Sequence, residues 1–353
     1  MNPGLARLAL RRALAPGVLA AWVVLLLLLL PREWAGSNAL VEAAGEGADP
    51  ESVGRGMVRA GVWTMLAIAV LPLLVARAAR IVAVWRAGEA DWLGSRTTGR
   101  GAILASTWIG TWLGGALLLA ASCGAIELRA GAGEPTLRRA GALAIPATGW
   151  ITARAPLRWT ADDAPAGGRA RVEFGFAGDS GSAAEVVFRA RRGSSERSST
   201  ARSSSRGAIE VELPPGRGGV EFEIACSRPG TRAFLASDAA ELWTPCASDR
   251  AASGEILLRL VLALATWTAL AIGLGAWVSA PTAGIALLAA WIPAWFGSAA
   301  AWLPGADLWT ALEIAGWGRV PPPIDPRAFA AGAALAIVGL LLAAAGLRRW
   351  RAT

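Results

Sequence analysis

Few residues in this 353-residue chain are equipped for covalent or hydrolytic chemistry. All 34 basic residues are Arg; there is no Lys, His, Gln or Tyr, and the only Asn are Asn2 and Asn38. Without Lys, neither a GxxxxGK[ST] phosphate loop nor a Schiff base can form, and without His there is no Ser-His-Asp triad, no HExxH motif and no zinc-hydrolase site. The chain therefore has no conventional site for ATP hydrolysis. The scarce types all use codons with A in the middle position, so their scarcity reflects a GC-rich genome and carries no mechanistic weight. Asp162-Asp163 is the only acidic doublet, and its Pro/Gly/Ala-rich surroundings read as a solvated turn rather than a metal site. The three cysteines, Cys123, Cys226 and Cys246, are too dispersed for a metal or redox framework, and no CxxC occurs.

The elements that carry these residues are dictated by composition. Hydrophobic residues make up 54% of the chain and charged residues only 17%, against roughly 25% in an ordinary soluble domain. A net charge of +8 would suggest nucleic acid as a partner for a soluble protein; here the arginines instead report orientation in a membrane, and no nucleic acid partner is expected. Uncharged stretches at 13–31, 60–76, 101–126 and 328–347 each suit one helix across a hydrocarbon core of ~30 Å, which needs about 20 residues. The stretch 260–306 is long enough for two, with Ser279 to Gly284 as the tight turn between them. Six spans are expected.

Charge bias orients them. Arg7, Arg11 and Arg12 precede the first span, the 32–59 loop holds five acids, the 77–100 loop holds five Arg, and Arg348, Arg349 and Arg351 close the chain. Both termini are thus cytoplasmic and the long segment 127–254 lies outside, where its own charge is no obstacle because long domains translocate regardless of it. A cleaved signal peptide over 1–39 is the alternative, but its removal would put the basic 77–100 loop on the wrong side.

Within 127–254 the periodicity changes to strict alternation. Val172, Phe174 and Phe176 share one strand face, as do Ile209, Val211 and Leu213, and Val220, Phe222 and Ile224. With Pro214 to Gly219 as turn chemistry, 207–225 reads as a hairpin, and the whole as an inserted all-β sandwich-like extracytoplasmic domain of roughly 100 residues. Trp159 and Trp243 read as core residues, and the Ser- and Arg-rich 193–206 as a mobile loop. Cys226 shares the core-facing parity of Ile224, and a disulfide to Cys246 would suit an oxidising exterior and add about 3 kcal/mol; two free thiols are the alternative.

The spans carry no ionisable residue at their centres, which argues against a proton-coupled carrier. Trp108 with Trp112, and Trp291 with Trp295, form i,i+4 pairs that serve either as packing or as the lining of an amphiphile's path. The 77–100 segment extends span two as a helix, breaks at Gly88, makes a short apolar turn at Trp92 and Leu93, and returns through Arg96 and Arg100.

This segment, with Glu89, Asp91, Trp92, Leu93, Ser95, Arg96 and Arg100, resembles the loop between spans two and three in permease subunits of ABC-2 type exporters. The family's usual Gly-Thr after the acid and Pro before the return are replaced here by Ala90-Asp91 and Thr97-Thr98. The short turn between spans four and five and a re-entrant stretch over 303–320 before span six are similar to that family as well, while the β domain is an insertion outside the resemblance.

The resemblance implies a homodimer or paired permease in the bacterial cytoplasmic membrane, with spans two and five nearest the dimer axis. It implies a separate ABC ATPase that supplies ATP and Mg chemistry, since this chain binds no cofactor itself. Its domains are 1–126 with the coupling loop 77–100, the β domain 127–254, and 255–353 with spans four to six. Trp92 and Leu93 would anchor the ATPase, with Glu89, Asp91, Arg96 and Arg100 as the charged rim. The alternatives are an envelope receptor or sensor that binds a ligand through the β domain, and an intramembrane transferase.

Overall fold

The computed structural model describes residues 3–29, 50–84, 100–130, 136–146, 149–162, 164–177, 184–203, 206–236, 239–246, 248, 250–296, 307–316 and 318–349. In chain order these form α1 (Pro3–Ala13), α2 (Pro16–Leu29), α3 (Pro50–Val84) and α4 (Arg100–Ala130), then ten strands, then α5 (Ala251–Gly275), α6 (Ala280–Phe296), α7 (Leu308–Gly316) and α8 (Pro326–Arg349). The chain is a multi-pass helical membrane protein with a β domain inserted between α4 and α5.

Among the described residues four stretches are long and apolar enough to cross a membrane: Gly54–Arg80, Gly101–Leu128, Ala251–Gly275 and Pro326–Leu347. They correspond to the expected spans two, three, four and six. The expected first and fifth spans are α2 and α6, of 14 and 17 residues, both ending where the described residues end. At 1.5 Å per residue α6 extends only about 25 Å. The turn before α6 occupies 276–279, earlier than expected. Ser279 caps α6 by accepting from the Thr282 N–H at 3.4 Å, and Pro281 falls in the first helical turn, where its lost N–H costs nothing.

The helices pack through small residues. A Cβ on Gly339 of α8 would lie 2.6 Å from the Ala269 carbonyl carbon of α5, and one on Gly273 would lie 2.5 Å from the Gly339 oxygen. Gly275 approaches Ala79 of α3 as closely, Gly115 of α4 meets Leu264, and Gly110 meets Ala6 of α1. Such backbone approach maximises dispersion contact where lipid removes the hydrophobic drive to associate. The result places α5 at the centre, with 67% of its span buried, and α8 at the edge, with 22% buried.

The strands are β1 (Thr136–Ala142), β2 (Gly149–Thr152), β3 (Leu157–Ala161), β4 (Arg169–Ala177), β5 (Ala184–Arg192), β6 (Ser195–Ser203), β7 (Arg206–Glu212), β8 (Val220–Cys226), β9 (Arg232–Leu235) and β10 (Ala240–Cys246). One antiparallel sheet of six runs β1-β10-β4-β9-β2 with β7 on the far edge of β4; the other, of four, runs β3-β8-β5-β6. The alternating apolar residues named from sequence, Val172, Phe174, Ile209, Val211, Phe222 and Ile224 among them, fill one core between the sheets. Trp159 lies there, its ring 5.9 Å from Phe188 and 5.4 Å from Phe222, each such pair adding about 1 kcal/mol beyond burial.

Three expectations are corrected. The 207–225 hairpin does not form: β7 pairs with β4 in one sheet and β8 with β3 and β5 in the other, so Pro214 to Gly219 crosses between sheets. This crossover is held by Arg192, whose guanidinium donates to the carbonyls of Ala164, Pro214 and Gly216 at 2.6–2.7 Å. The Ser/Arg-rich 193–206 is not a loop along most of its length, because β6 pairs residue for residue with β5 and forms a polar edge. The Cys226–Cys246 disulfide is absent: Cys226 ends β8 in the sheet core, with its thiol toward the Ile151 carbonyl at 3.5 Å. Cys246 ends β10 on the other sheet, against the helical core, and both are free.

Gly339→Val should lower the thermal midpoint of the protein in mild detergent by the equivalent of about 3 kcal/mol, because backbone rather than a flexible side chain occupies the new atom's place. Gly124→Ala in α4, where a Cβ meets nothing within 4 Å, should leave the midpoint unchanged or raise it.

Candidate functional site

The β domain and the helices join at a seam built from backbone first. Val320, just past α7, forms a parallel bridge with Arg138 of β1; the Arg139 N–H donates to the Val320 carbonyl at 3.1 Å, and the Val320 N–H to Leu137 at 3.0 Å. Thr136 adds a hydroxyl bond to the Gly318 carbonyl at 2.7 Å. The segment after α7 thus serves as one more edge for the six-stranded sheet. Gly318 has a φ of +71°, which a side chain resists, and Gly56 of α3 packs so close that a Cβ would lie 2.4 Å from the Ala315 carbonyl.

Below this seam two arginines are buried among the helix ends. Arg59 of α3, 1% exposed, makes a bidentate pair with Glu127 of α4 at 2.8 and 3.0 Å. Ser253 of α5 donates its hydroxyl to the same carboxylate, and the Trp63 indole donates to Ser253 at 3.4 Å. Arg259 of α5, 4% exposed, donates to Asp307 at 2.8 Å, to the Pro322 carbonyl at 2.7 Å and to Glu255 one turn earlier at 3.3 Å. Glu255 also takes Arg138 of β1 at 3.2 Å. The chain Arg138, Glu255, Arg259, Asp307 therefore runs from the sheet through α5 to the start of α7. Read as sequence, Arg59 and Arg259 only bounded the spans; neither distant partner has a signal along the chain, although Glu255 at i,i+4 from Arg259 does.

Above the seam the outer face of the six-stranded sheet turns toward α7. Because Trp243 pairs with Arg169 and Glu241 with Arg171, these side chains share that face. Arg171 and Glu173 pair at 3.3 Å, Arg139 and Glu241 at 2.6 Å, and Arg319 reaches Glu210 while its guanidinium sits 4.4 Å from the Trp243 ring centre. Between this face and Thr310, Glu313 and Ile314 of α7 lies a cavity of about 560 Å³, with Phe234 among its apolar lining. Trp243, expected in the sheet core, is buried on the opposite face; its place two residues from Glu241, on the same strand face, was the available signal.

Of the residues expected to act, Glu89, Asp91, Trp92, Leu93 and Arg96 lie outside the described residues, and Arg100 is described only as the first residue of α4. Trp108 and Trp112 are half-buried, stack at 6.1 Å and donate their indole N–H groups to the Ala265 and Val261 carbonyls of α5, at 2.8 and 3.1 Å. They bind α4 to α5. Trp291 and Trp295 fall in the last turns of α6 with side chains outside the description. Asp162 sits in the turn after β3, Asp163 is outside the described residues, and no group of three or more potential metal ligands occurs among the described residues.

Arg59→Met should cost about 2–3 kcal/mol in unfolding experiments, because it leaves the half-buried Glu127 with only Ser253 and the more distant Arg250, whereas Arg59→Met with Glu127→Leu should restore most of that loss. Burial pushes the Cys226 thiol above the usual cysteine range, so at pH 7–8 it stays protonated. Cys226 should resist maleimide until the β domain unfolds, and mobility on reducing and non-reducing gels should be the same. Comparison with known proteins finds no matching family model, no similar curated protein and no similar solved structure.

Proposed function

We propose that this chain is the membrane-spanning permease subunit of an ATP-driven exporter of the ABC-2 type, in the bacterial cytoplasmic membrane. It acts as a dimer and is driven by a separate ATPase docked on the 77–100 loop. The observation that carries this reading is the stretch from α5 to α8. There an apolar helix is followed by a four-residue turn, a second apolar helix, the short buried helix α7 at the outer helix ends, and a last span. That order is similar to the short turn, re-entrant segment and final span of ABC-2 permeases.

The geometry of α3 supports the same reading. Its 35 residues continue past Arg77 and Arg80 to Val84, about 50 Å of helix leading from the expected ATPase loop to the outer seam. At that outer end α3 holds Arg59 against Glu127 and touches the end of α7 at Gly56. Closure of the ATPase on Trp92 and Leu93 would therefore push a lever whose far end bears on the seam. The absence of Lys and His throughout the chain is consistent with nucleotide chemistry carried by a partner.

A receptor that binds an envelope ligand through its β domain is the second reading, favoured by the cavity against α7. The two differ in what travels with the chain. Purified from its native membrane in mild detergent, the protein should bring a stoichiometric subunit with a phosphate-loop Lys and an ABC signature, identified by mass spectrometry. Reproducible purification without any nucleotide-binding partner would refute the exporter reading. Trp92→Ala with Glu89→Gln should reach the membrane at normal level but weaken ATPase docking by about thirtyfold or more, since a buried Trp anchor typically carries over 2 kcal/mol.

A further inference from the structure

The free face of α1 carries two guanidinium groups that nothing else in the described chain serves. Arg7 and Arg11 are exposed, lie one turn apart on the side of α1 turned away from α4, and make no ion pair or hydrogen bond among the described residues. Arg12 is half-buried and already engaged. Neither helix supplies a counter-charge: the first acid in the chain is Glu33, and α4 has none before Glu127. Leu8, 42% exposed, stands beside the two arginines.

Depth gives these unpaired charges their meaning. The opposite face of α1 is locked to α4, where a Cβ on Gly110 would lie 2.7 Å from the Ala9 Cβ and one on Gly114 would lie 2.8 Å from the Ala13 Cβ. Gly110 is already about 14 Å along the helix from Gly101, where that span begins. α1 therefore lies against the span rather than before it, and a charge facing hydrocarbon needs an ionic partner. The two helices run in the same direction, Ala9 meeting Gly110 and Ala13 meeting Gly114. Helical side chains lean toward their own N-terminus, so both guanidiniums reach back toward the headgroups at the Gly101 end, leaving Leu8 to the acyl chains. The oxyanion at that level is a lipid phosphate, which a guanidinium meets with paired donors. A headgroup ammonium would find no carboxylate on α1 or the adjoining part of α4, which disfavours a zwitterionic lipid.

We propose that Arg7 and Arg11 form a binding site for the phosphodiester headgroup of an anionic phospholipid in the leaflet where α4 begins. The site stands on α1 and α4 alone and does not depend on whether the helices move cargo.

Native mass spectrometry of the full chain in a neutral detergent, titrated with phosphatidylglycerol or with phosphatidylcholine, tests this. The first phosphatidylglycerol should bind at least tenfold more tightly than phosphatidylcholine. Arg7→Gln with Arg11→Gln should weaken phosphatidylglycerol tenfold or more, leave phosphatidylcholine unchanged and keep the thermal midpoint in lipid-free detergent, since both side chains are exposed. Arg7→Lys with Arg11→Lys, which keeps the charge, should retain most of the binding. Arg348→Gln with Arg349→Gln, which removes the same charge from the far end of the chain, should leave it as in wild type. Equal affinity of the wild-type chain for the two lipids, equal phosphatidylglycerol affinity in wild type and the Arg7/Arg11 glutamine variant, or an equal loss from the Arg348/Arg349 variant overturns the proposal.

Discussion

The structure depends on how two guanidinium groups are buried where helices end. Arg59 and Arg259 have almost no exposure, and a lone buried charge costs several kcal/mol, so neither position is tenable without its partners. Glu127 serves Arg59 from a different helix, and Asp307 serves Arg259 from the far side of α6. Because these bonds are directional and the carboxylates come from distant parts of the chain, they set the relative heights of α3, α4, α5 and α7 as well as their proximity. The close approach at Gly273, Gly275 and Gly339 fixes register among α3, α5 and α8, and the ion pairs extend that constraint to the outer ends of the helices.

From those fixed ends the β domain follows with little freedom. The chain leaves α4 into β1 and returns from β10 into α5, and β1 and β10 are paired neighbours, Thr136 opposite Cys246. An insertion whose two ends emerge side by side can sit on a helical bundle without distorting it. The Val320 bridge and the Arg138–Glu255 pair reinforce that neck at Arg138, and the Arg319–Glu210 pair adds an attachment further out, on β7, so the domain is not held by its two connections alone. The cavity against α7 exists because of this: its wall is a sheet face and its floor a helix, and only the seam keeps them together.

The same attachments give the exporter reading its physical logic. In the proposed exporter, movement of α3 would act on the Arg59–Glu127 pair and, through Gly56, on the end of α7, which is also the boundary of the cavity. A continuous helix transmits displacement with little loss, whereas α8, packed only through the small residues of one face, presents Phe329, Ile337, Leu341 and other apolar side chains outward to lipid.

What the chain determined by itself was local and periodic. Uncharged runs led to six expected spans, four of which are long and apolar enough among the described residues, alternation at 172–176, 209–213 and 220–224 set strands and their core faces, and the absence of Lys and His left neither a phosphate-loop Lys nor a Ser-His-Asp triad. Each rests on composition or on a period of two or 3.6 residues, which is a property of neighbours. The pairing of strands was decided only in three dimensions: β7 and β8 look like a hairpin across Pro214 to Gly219, but Arg192 holds that turn as a crossover, and no local pattern distinguishes the two. The same holds for Ser195–Ser203, whose polar residues read as loop because an edge strand is stabilised by its ladder rather than by burial. The site was decided there as well. Arg59, Glu127, Arg259 and Asp307, like Trp243 under Arg319, acquire their roles from partners tens of residues away, and electrostatic pairing over such separations leaves no trace in the spacing of the residues themselves.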